Sequence, residues 1–263
     1  MFERIKGKTI FITGASSGIG KSIAIVFAEY GANVVISARR MAKLTEVEAQ
    51  IKQTSPSIKV HKVAMDVSCE ESVKSGFESL PSWAEDIDIL VNNAGVSPGV
   101  ELIKDLSSEN MDTMLNTNIK SVIFVTQQVL PRMLERDTGM IINIGSIVST
   151  TPRPTAGMYS ATKFALSAIT QTLRMETNDT NISVVEIKPG IIETEFNIVR
   201  NFGNRAASKK FYDAAPSIPP SDVAEAVLFA ASRDPRCIVS EITVVPRGQA
   251  HPLFVQPKSS KNE

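Results

Sequence analysis

The sequence contains few of the residues that build disulfide frameworks or zinc sites. Its 263 residues include two cysteines, Cys69 and Cys237, and two histidines, His61 and His251. Because neither cysteine belongs to a Cys-x-x-Cys pattern, a disulfide framework is excluded and a reducing compartment is favoured. A zinc site would require nearly every cysteine and histidine to converge on one point, so we expect no metal.

Excess charge of one sign and long apolar runs are also missing. Lysine and arginine together number 28, as do aspartate and glutamate, so the net charge is zero. The chain therefore has no overall attraction to nucleic acid or to an anionic membrane. No window approaches the ~20 apolar residues of a membrane span, and the N-terminus lacks the apolar run of a signal peptide. We expect a cytoplasmic protein with no nucleic-acid or membrane partner.

Short apolar runs rich in β-branched residues recur along the chain, with segments of helical length between them. They are Thr9–Thr13, Asn33–Ser37, Lys59–Ala64, Ile87–Val91, Met140–Ile144, Ser183–Ile187 and Ile242–Val245. Near-continuous apolar strands are typical of a parallel sheet covered on both faces. The pattern predicts an α/β fold, with one doubly wound, Rossmann-type parallel sheet of about seven strands and helices on both faces.

Apolar residues at helical spacing predict three of the helices. These run from about Ile19 to Tyr30, from Leu115 to Glu135 and from Met158 to Thr177. No internal repeat or linker interrupts the chain before Val245, so residues 1–245 are expected to form a single domain. The prolines and polar residues of the tail, 246–263, predict a partly irregular segment.

A glycine-rich turn, Thr13-Gly-Ala-Ser-Ser-Gly-Ile-Gly20, joins the first predicted strand to the first predicted helix. Glycines let the backbone approach a pyrophosphate, whose charge the N–H groups of the helix N-terminus then meet. The alternative is a turn that needs glycine only for its backbone angles. Gly20-Lys21-Ser22 resembles the end of a nucleoside triphosphatase phosphate loop, but Ala15 occupies the position where that motif requires glycine, which disfavours ATP or GTP.

The end of the second strand indicates which dinucleotide binds. Ala38-Arg39-Arg40 stands where dinucleotide folds place an acidic residue on the adenosine ribose. Without a carboxylate to repel it, a 2′-phosphate can accept charge-assisted hydrogen bonds from both arginines. The sequence therefore favours NADP over NAD. The alternative is that the two arginines only solvate the start of a surface helix.

Tyr159 and Lys163 are four residues apart on a predicted helix and share one of its faces. An ammonium beside a phenol lowers the phenol pKa, and such a tyrosine can exchange a proton with an alcohol or ketone. Alone, the pair could equally be a surface pair. Ser146, Asn92-Asn93-Ala94-Gly95 and Pro189-Gly190 follow three predicted strands at the carboxyl edge, where open α/β sheets bind ligands, which predicts one shared crevice.

In this combination and order, these motifs resemble the short-chain dehydrogenase/reductase family over residues 7–245. The resemblance implies that Tyr159 is the general acid/base, that Lys163 lowers its pKa and holds the nicotinamide ribose, and that Ser146 orients the reacting oxygen. Asn118 matches the family asparagine that supports a proton-relay water. The patterns and the resemblance together assign cofactor contacts to Gly14, Ser16, Ser17, Gly18, Ile19, Gly20, Arg39, Arg40, Asp66, Val67, Asn92, Asn93, Ala94, Gly95, Tyr159, Lys163, Pro189, Gly190, Ile192 and Thr194.

A narrower resemblance concerns the substrate. Ala38-Arg39-Arg40, Glu193–Phe196 with Val199-Arg200, and Val244-Val245-Pro246 resemble the NADP-dependent 3-hydroxy acid dehydrogenases. This implies hydride transfer to or from the 3-hydroxyl carbon of a small acid such as serine or allo-threonine. It also implies a homotetramer, although Pro246-Arg247-Gly248 replaces the family's usual Asp-Gly after the last strand, which weakens inferences about assembly.

Arg200 lies in a predicted substrate lid, at about residues 194–219, and is the candidate ligand for the substrate carboxylate. Its alternatives are a salt bridge with a neighbouring glutamate or a subunit contact. Two other functions stay open from the sequence. One is a broad-range NADPH-dependent carbonyl reductase of ketones and aldehydes, which would use the same catalytic set. The other is a non-catalytic NADP-binding sensor.

Overall fold

Seven parallel strands form one twisted sheet in the computed structural model of the chain, which describes residues 2–258. The strands are β1 Thr9–Thr13, β2 Asn33–Ala38, β3 Val60–Ala64, β4 Ile89–Asn92, β5 Gly139–Ile144, β6 Ile182–Pro189 and β7 Glu241–Val244. Their order across the sheet is β3-β2-β1-β4-β5-β6-β7, so the direction of winding reverses between β1 and β4. The predicted doubly wound fold is confirmed, and each predicted apolar run overlaps one of these strands.

Helices cover both faces of the sheet. They are α1 Gly18–Glu29, α2 Met41–Thr54, α3 Glu70–Glu78, α4 Ser108–Leu115, α5 Ser121–Glu135, α6 Gly157–Glu176, α7 Phe196–Arg200, α8 Arg205–Ala214 and α9 Pro220–Ala231. One buried cluster joins the sheet to α1, α2 and α9, and a second joins it to α3, α5 and α6. Strand β1 contributes side chains to both clusters, because successive side chains point to opposite faces of the sheet. Ile10 and Ile12 belong to the first cluster and Phe11 to the second.

The long helix predicted from Leu115 to Glu135 is present but not regular. Between α4 and α5 the backbone forms a π-helical turn over Asn116–Lys120. Such turns are rare and often lie at functional sites, because the extra residue re-aims side chains from the helix. Asn118, one of the predicted site residues, lies within this turn and is 1% exposed.

The C-terminal tail is more ordered than the sequence indicates. Strands β8 (Gln249–His251) and β9 (Phe254–Val255) pair antiparallel. Gln249 is buried, and its Oε1 accepts a hydrogen bond from the backbone N–H of Ile191 at 2.8 Å. This contact is with a distant part of the chain, so local composition does not reveal it. The predicted irregular tail also includes residues 259–263, which lie outside the described residues.

Two features are missing from the described residues. Over residues 2–258, no helix combines the length and the apolar character needed to cross a bilayer. Over the same residues, no group of three or more histidine, cysteine, aspartate or glutamate side chains is arranged to hold a metal ion.

A buried chain of polar side chains ties the centre of the sheet to two helices. Asn143 on β5 accepts from Asn92 Nδ2 on β4 at 2.9 Å and donates to Thr170 Oγ1 on α6 at 2.9 Å. Asn92 also donates to Thr126 Oγ1 on α5 at 3.3 Å. Buried amides need such partners, since an unpaired one loses its hydration without compensation. Asn143 is therefore the central member of this polar chain.

We predict that Asn143→Ala lowers the free energy of unfolding by about 2–4 kcal/mol, because it removes partners from Asn92 and Thr170 and leaves a cavity. Urea unfolding followed by circular dichroism measures the change. Thr54→Ala, which removes an exposed hydroxyl at the end of α2, is the control and should cost about 0.5 kcal/mol or less. A loss below about 1 kcal/mol for Asn143→Ala would show that the polar chain contributes little.

Candidate active site

A cleft of about 430 Å³ opens at the carboxyl edge of the sheet, where the strand order reverses. Ligands of open α/β sheets bind at this position because the loops after neighbouring strands diverge there. The predicted site residues that line it are Gly14, Ser16, Ser17, Gly18, Ile19, Arg39, Arg40, Asp66, Val67, Asn93, Ala94, Gly95, Ser146, Tyr159, Lys163, Pro189, Gly190, Ile192, Thr194 and Arg200. The predicted residues Gly20, Asn92 and Asn118 are not part of this lining.

The glycine-rich turn forms one wall, and its shape requires glycine. Gly14 and Gly18 have φ of 66° and 55°, in the left-handed region. A Cβ on Gly14 would lie 2.9 Å from Ala94 Cα, and one on Gly18 would lie 3.1 Å from Thr194 Cγ2. The backbone thus lies close to the neighbouring loops and ends at the N-terminus of α1, an arrangement that fits a dinucleotide pyrophosphate.

Gly20 does not line the cleft, but close packing requires a glycine at this position. A Cβ at this position would lie 2.5 Å from Asn93 Nδ2, so glycine lets α1 pack against the loop after β4. Asn93 itself lines the cleft and donates to the carbonyl of Thr13 at 2.8 Å. The glycine and the asparagine together hold the end of β4 against the turn after β1.

The resemblance implies that Asn92 lies against the adenosine ribose. In the structure its side chain is 4% exposed and belongs to the buried polar chain with Asn143, so a contact with the ribose would have to come from its backbone. Side chains alternate between the two faces along a strand, so Asn92 and Asn93 point in different directions. Of this pair, Asn93 is the residue that faces the cleft.

The two arginines after β2 have different environments. Arg40 Nη2 pairs with Glu195 Oε2 at 2.9 Å and donates to the hydroxyls of Ser16 and Ser17. Its hydrogen bond lowers the pKa of Glu195. Arg39 lines the cleft and makes no ion pair or side-chain hydrogen bond within residues 2–258.

Asp66 lies at the same end of the cleft as Arg39. Burial opposes its ionisation, but hydrogen bonds from Ser68 and the charge of Arg39 outweigh this and lower the pKa of Asp66. Both Ser68 bonds go to Oδ1, at 2.7 and 3.0 Å. This end of the cleft therefore offers an ionised carboxylate and a guanidinium that is free of other protein partners.

Tyr159 and Ser146 lie together in the deeper half of the cleft. Burial raises the pKa of Tyr159 to about 12, while a hydrogen bond with Ser146 and the charge of Arg200 act in the opposite direction. The sequence analysis expected Lys163 to lower this pKa. In the structure, Lys163 Nζ is 5.8 Å from the Tyr159 ring centroid and donates to the carbonyl of Ile144 at 2.7 Å. The predicted effect of Lys163 on the phenol pKa stays a prediction.

Lys163 is accompanied by a buried carboxylate that sequence reasoning missed. Burial lowers the pKa of Lys163 to about 8, and the charge of Glu186 opposes this shift. Glu186 on β6 is fully buried and accepts from Ser167 Oγ at 2.6 Å, one helical turn after Lys163. A Cβ on Gly145 would lie 2.3 Å from Glu186 Oε1, so the glycine before Ser146 makes room for this carboxylate.

Asn118 borders the site from behind. Its Oδ1 accepts from the N–H of Val96 at 2.8 Å, and its Nδ2 donates to the carbonyl of Val96 and to Thr162 Oγ1. Its Oδ1 and Lys163 Nζ would lie 3.5 and 3.7 Å from a Cβ on Gly95. The amide thus fixes the loop after β4 beside Lys163. The predicted relay through a water at Asn118 stays a prediction.

Arg200 at the end of α7 faces Tyr159 across the cleft. Its Nη2 donates to the carbonyl of Thr155 at 3.1 Å, whereas its Nε is buried and has no hydrogen-bond partner. Thr155 has a φ of 60°, which costs energy for a β-branched residue and fixes the direction of the neighbouring peptides. Within residues 2–258 Arg200 makes no salt bridge, so the predicted pairing with a neighbouring glutamate is absent, whereas the predicted subunit contact stays a prediction.

The sequence analysis also missed Arg153, Tyr212 and Gln249, which line the cleft. Tyr212 on α8 donates its hydroxyl to the carbonyl of Ile192 at 3.0 Å and accepts from the N–H of Thr194. It thus joins the predicted lid to the loop after β6. Arg153 lies between Ser146 and Tyr159 in the chain, a signal that could have identified it, whereas Gln249 comes from the distant tail.

The family model described as short chain dehydrogenase matches residues 8–203. The chain belongs to this family. A protein from Schizosaccharomyces pombe named NADP-dependent 3-hydroxy acid dehydrogenase is 37% identical, over 98% of this chain and 100% of its own length. A serine 3-dehydrogenase from Rhizobium radiobacter is 34% identical, over 94% and 96% of the two chains.

Among solved structures, the closed form of a serine dehydrogenase complexed with NADP+ is similar, with a TM-score of 0.84 and 32% identity. The match covers 90% of this chain and 94% of that chain. The predicted family membership and the predicted fold are therefore both confirmed by relatives that cover nearly the whole molecule.

We predict that Glu186→Gln lowers the pKa of Lys163 below about 8, because it removes the negative charge that stabilises the buried ammonium. Above the pKa, each unit of downward shift reduces the protonated fraction about tenfold. NMR of labelled lysine side chains measures the pKa, and the signal is assigned by its loss in Lys163→Arg.

Glu241→Gln is the matched control. Glu241 pairs with Lys188 at 2.9 Å, and it is not among the groups that shift the pKa of Lys163. This variant makes the same change in net charge and should leave the pKa of Lys163 near about 8. Equal shifts in the two variants would mean that Glu186 acts on Lys163 only through net charge.

Proposed function

We propose that the protein is an NADP-dependent oxidoreductase of small 3-hydroxy acids such as serine or allo-threonine. It would transfer a hydride between the nicotinamide and the 3-hydroxyl or 3-keto carbon. The observation that carries the acid part of this proposal is the position of Arg200, which lines the same cleft as Tyr159 and has no carboxylate partner within residues 2–258. The names of the relatives from Schizosaccharomyces pombe and Rhizobium radiobacter support it.

The proposed binding of NADP rests on the wall formed by Gly14 and Gly18 and on the basic end of β2. The backbone N–H groups at the start of α1 would bind the pyrophosphate. Arg39, which has no protein partner within residues 2–258, would bind the 2′-phosphate, and Asp66 would contact the adenine. When bound, NADP supplies the hydride acceptor or, in its reduced form, the donor.

The proposed proton transfer rests on Tyr159. Since its pKa is about 12, its phenol holds its proton at neutral pH and can donate it to a substrate carbonyl oxygen during reduction. Ser146 hydrogen-bonds this phenol and would orient the same oxygen. Lys163, buried beside Glu186, would position the nicotinamide ribose next to them.

The proposed recognition of the substrate carboxylate rests on Arg200. A guanidinium binds a carboxylate through two parallel hydrogen bonds, and its Nε is one of the donors required. Because Arg200 has no carboxylate partner within residues 2–258, a carboxylate bound in the cleft would gain a charge-assisted hydrogen bond without displacing a protein anion. This contact would place the 3-hydroxyl of the acid toward Ser146 and Tyr159.

A second candidate function is a broad-range NADPH-dependent carbonyl reductase. The apolar side chains of Phe196, Val199 and Phe211 favour it, because they also line the cleft and suit ketones without charge. The predicted homotetramer and the predicted cytoplasmic location remain predictions.

We predict that Arg39→Ala lowers the affinity for NADPH about tenfold or more, since a hydrogen bond to a charged group contributes about 1.5–3 kcal/mol. The affinity for NADH should stay within about twofold, because NADH has no 2′-phosphate for the arginine to bind. Fluorescence titration of the two cofactors measures both values. Arg40→Ala is the comparison and should cost less, because Arg40 is already paired with Glu195. Equal losses for NADPH and NADH would contradict the assignment.

We predict that Arg200→Ala lowers kcat/KM for serine and 3-hydroxybutyrate by about ten- to a hundredfold, through the loss of one charged contact. A neutral ketone of similar size should be nearly unaffected, because it makes no such contact. Steady-state kinetics with NADP(H) measures both, and Tyr159→Phe is the reference that lowers both by about 10²–10⁴-fold. If Arg200→Ala lowers kcat/KM for the acids and for the neutral ketone together, Arg200 is structural and the second candidate function is favoured.

A further inference from the structure

A second arginine lines the substrate half of the cleft. Arg153 lies in the loop between β5 and α6, after Ser146 and before Tyr159. Pro152 and Pro154 flank it and restrict the backbone on both sides, so the base of the side chain is held in place. The following Thr155 provides the carbonyl that binds Arg200, so one short loop carries Arg153 and fixes Arg200.

Neither guanidinium has an anionic partner. Within residues 2–258, Arg153 makes no ion pair and its side chain makes no hydrogen bond, and Arg200 bonds only to a carbonyl. Both arginines line the same cleft. Burial lowers the pKa of Arg200, and the positive charge of Arg153 acts in the same direction. Repulsion between like charges destabilises the empty site and is relieved when anions bind.

The acidic side chains that line the cleft do not compensate these charges. Asp66 is held by Ser68 at the other end, next to Arg39. Glu195 is paired with Arg40 across the mouth of the cleft. Among the described residues that line the cleft, the substrate half therefore has two arginines, Arg153 and Arg200, and no carboxylate of its own.

We propose that the substrate is a hydroxy dicarboxylate, with one carboxylate bound by Arg200 and a second bound by Arg153. The proposal rests on the proposed function, because it assigns the reacting hydroxyl to Tyr159 and Ser146 and the first carboxylate to Arg200. A monocarboxylate would satisfy Arg200 and leave Arg153 uncompensated. A dicarboxylate spans both arginines with the hydroxyl carbon between its two anionic ends.

The experiment compares three acids that share the same reacting centre. 3-Hydroxyglutarate carries a second carboxylate, 3-hydroxybutyrate carries a hydrogen in its place, and 3-hydroxy-5-methylhexanoate carries an uncharged branch with the shape of that carboxylate. Steady-state oxidation with NADP gives kcat/KM for each. The proposal expects kcat/KM for the dicarboxylate to exceed both monocarboxylates by about tenfold or more, as expected for one charged hydrogen-bonded contact.

Variants of Arg153 then identify the residue responsible. Arg153→Gln should lower kcat/KM for 3-hydroxyglutarate by about tenfold, mainly through KM, and should change both monocarboxylates by less than about twofold. Arg153→Lys keeps the charge and should restore part of the preference. Thermal unfolding of each variant verifies that the fold is retained.

The outcomes separate this proposal from the proposed function. The second carboxylate subsite is wrong if the wild type oxidises the monocarboxylates at least as well as the dicarboxylate. It is also wrong if Arg153→Gln lowers kcat/KM equally for all three acids. The acid function itself would then still stand on the response of 3-hydroxybutyrate to Arg200→Ala. If none of the acids is oxidised while a neutral alcohol is, both proposals are overturned.

Discussion

The reversal of strand order between β1 and β4 is the constraint on which the site depends. The chain leaves β1 toward one face and β4 toward the other, so the loops diverge and leave a crevice between them. Gly14 and Gly20 then bring the turn after β1 against Ala94 and Asn93. The buried chain centred on Asn143 fixes β4 and β5 against α5 and α6, the helix that carries Tyr159 and Lys163. A few buried polar contacts therefore position every wall of the cleft.

The fold and most of the cleft could be predicted from the sequence, because they depend on local patterns. Apolar runs indicate the strands, and positive-φ glycines such as Gly14 stand where backbones approach. What could not be predicted depends on side-chain direction or on distant contacts. Asn92 and Asn93 are adjacent and chemically identical, and only the strand geometry determines which one faces the cleft. Gln249 comes from a tail whose composition indicates irregular structure.

The charges in the cleft divide it into two parts. At the mouth, Arg40 and Glu195 neutralise each other and join the glycine-rich turn to the loop before α7. Deeper in the cleft, Arg200 has a buried donor without a partner. A cofactor phosphate therefore meets Arg40 already paired and Arg39 free, whereas a substrate anion meets uncompensated charge. The sequence identifies these arginines but not their partners. It therefore cannot predict which of them is available to bind an anion.

Burial moves the pKa values of Tyr159 and Lys163 toward the uncharged form of each group, to about 12 and about 8. Each shift is opposed by one charged side chain, Arg200 for the phenol and Glu186 for the ammonium. Under the proposed function, a carboxylate bound at Arg200 would cancel the positive charge that lowers the phenol pKa, so an acid substrate would strengthen the hold of Tyr159 on its proton. A neutral ketone would leave that charge in place. The same arginine would thus link recognition of the substrate to the proton affinity of Tyr159.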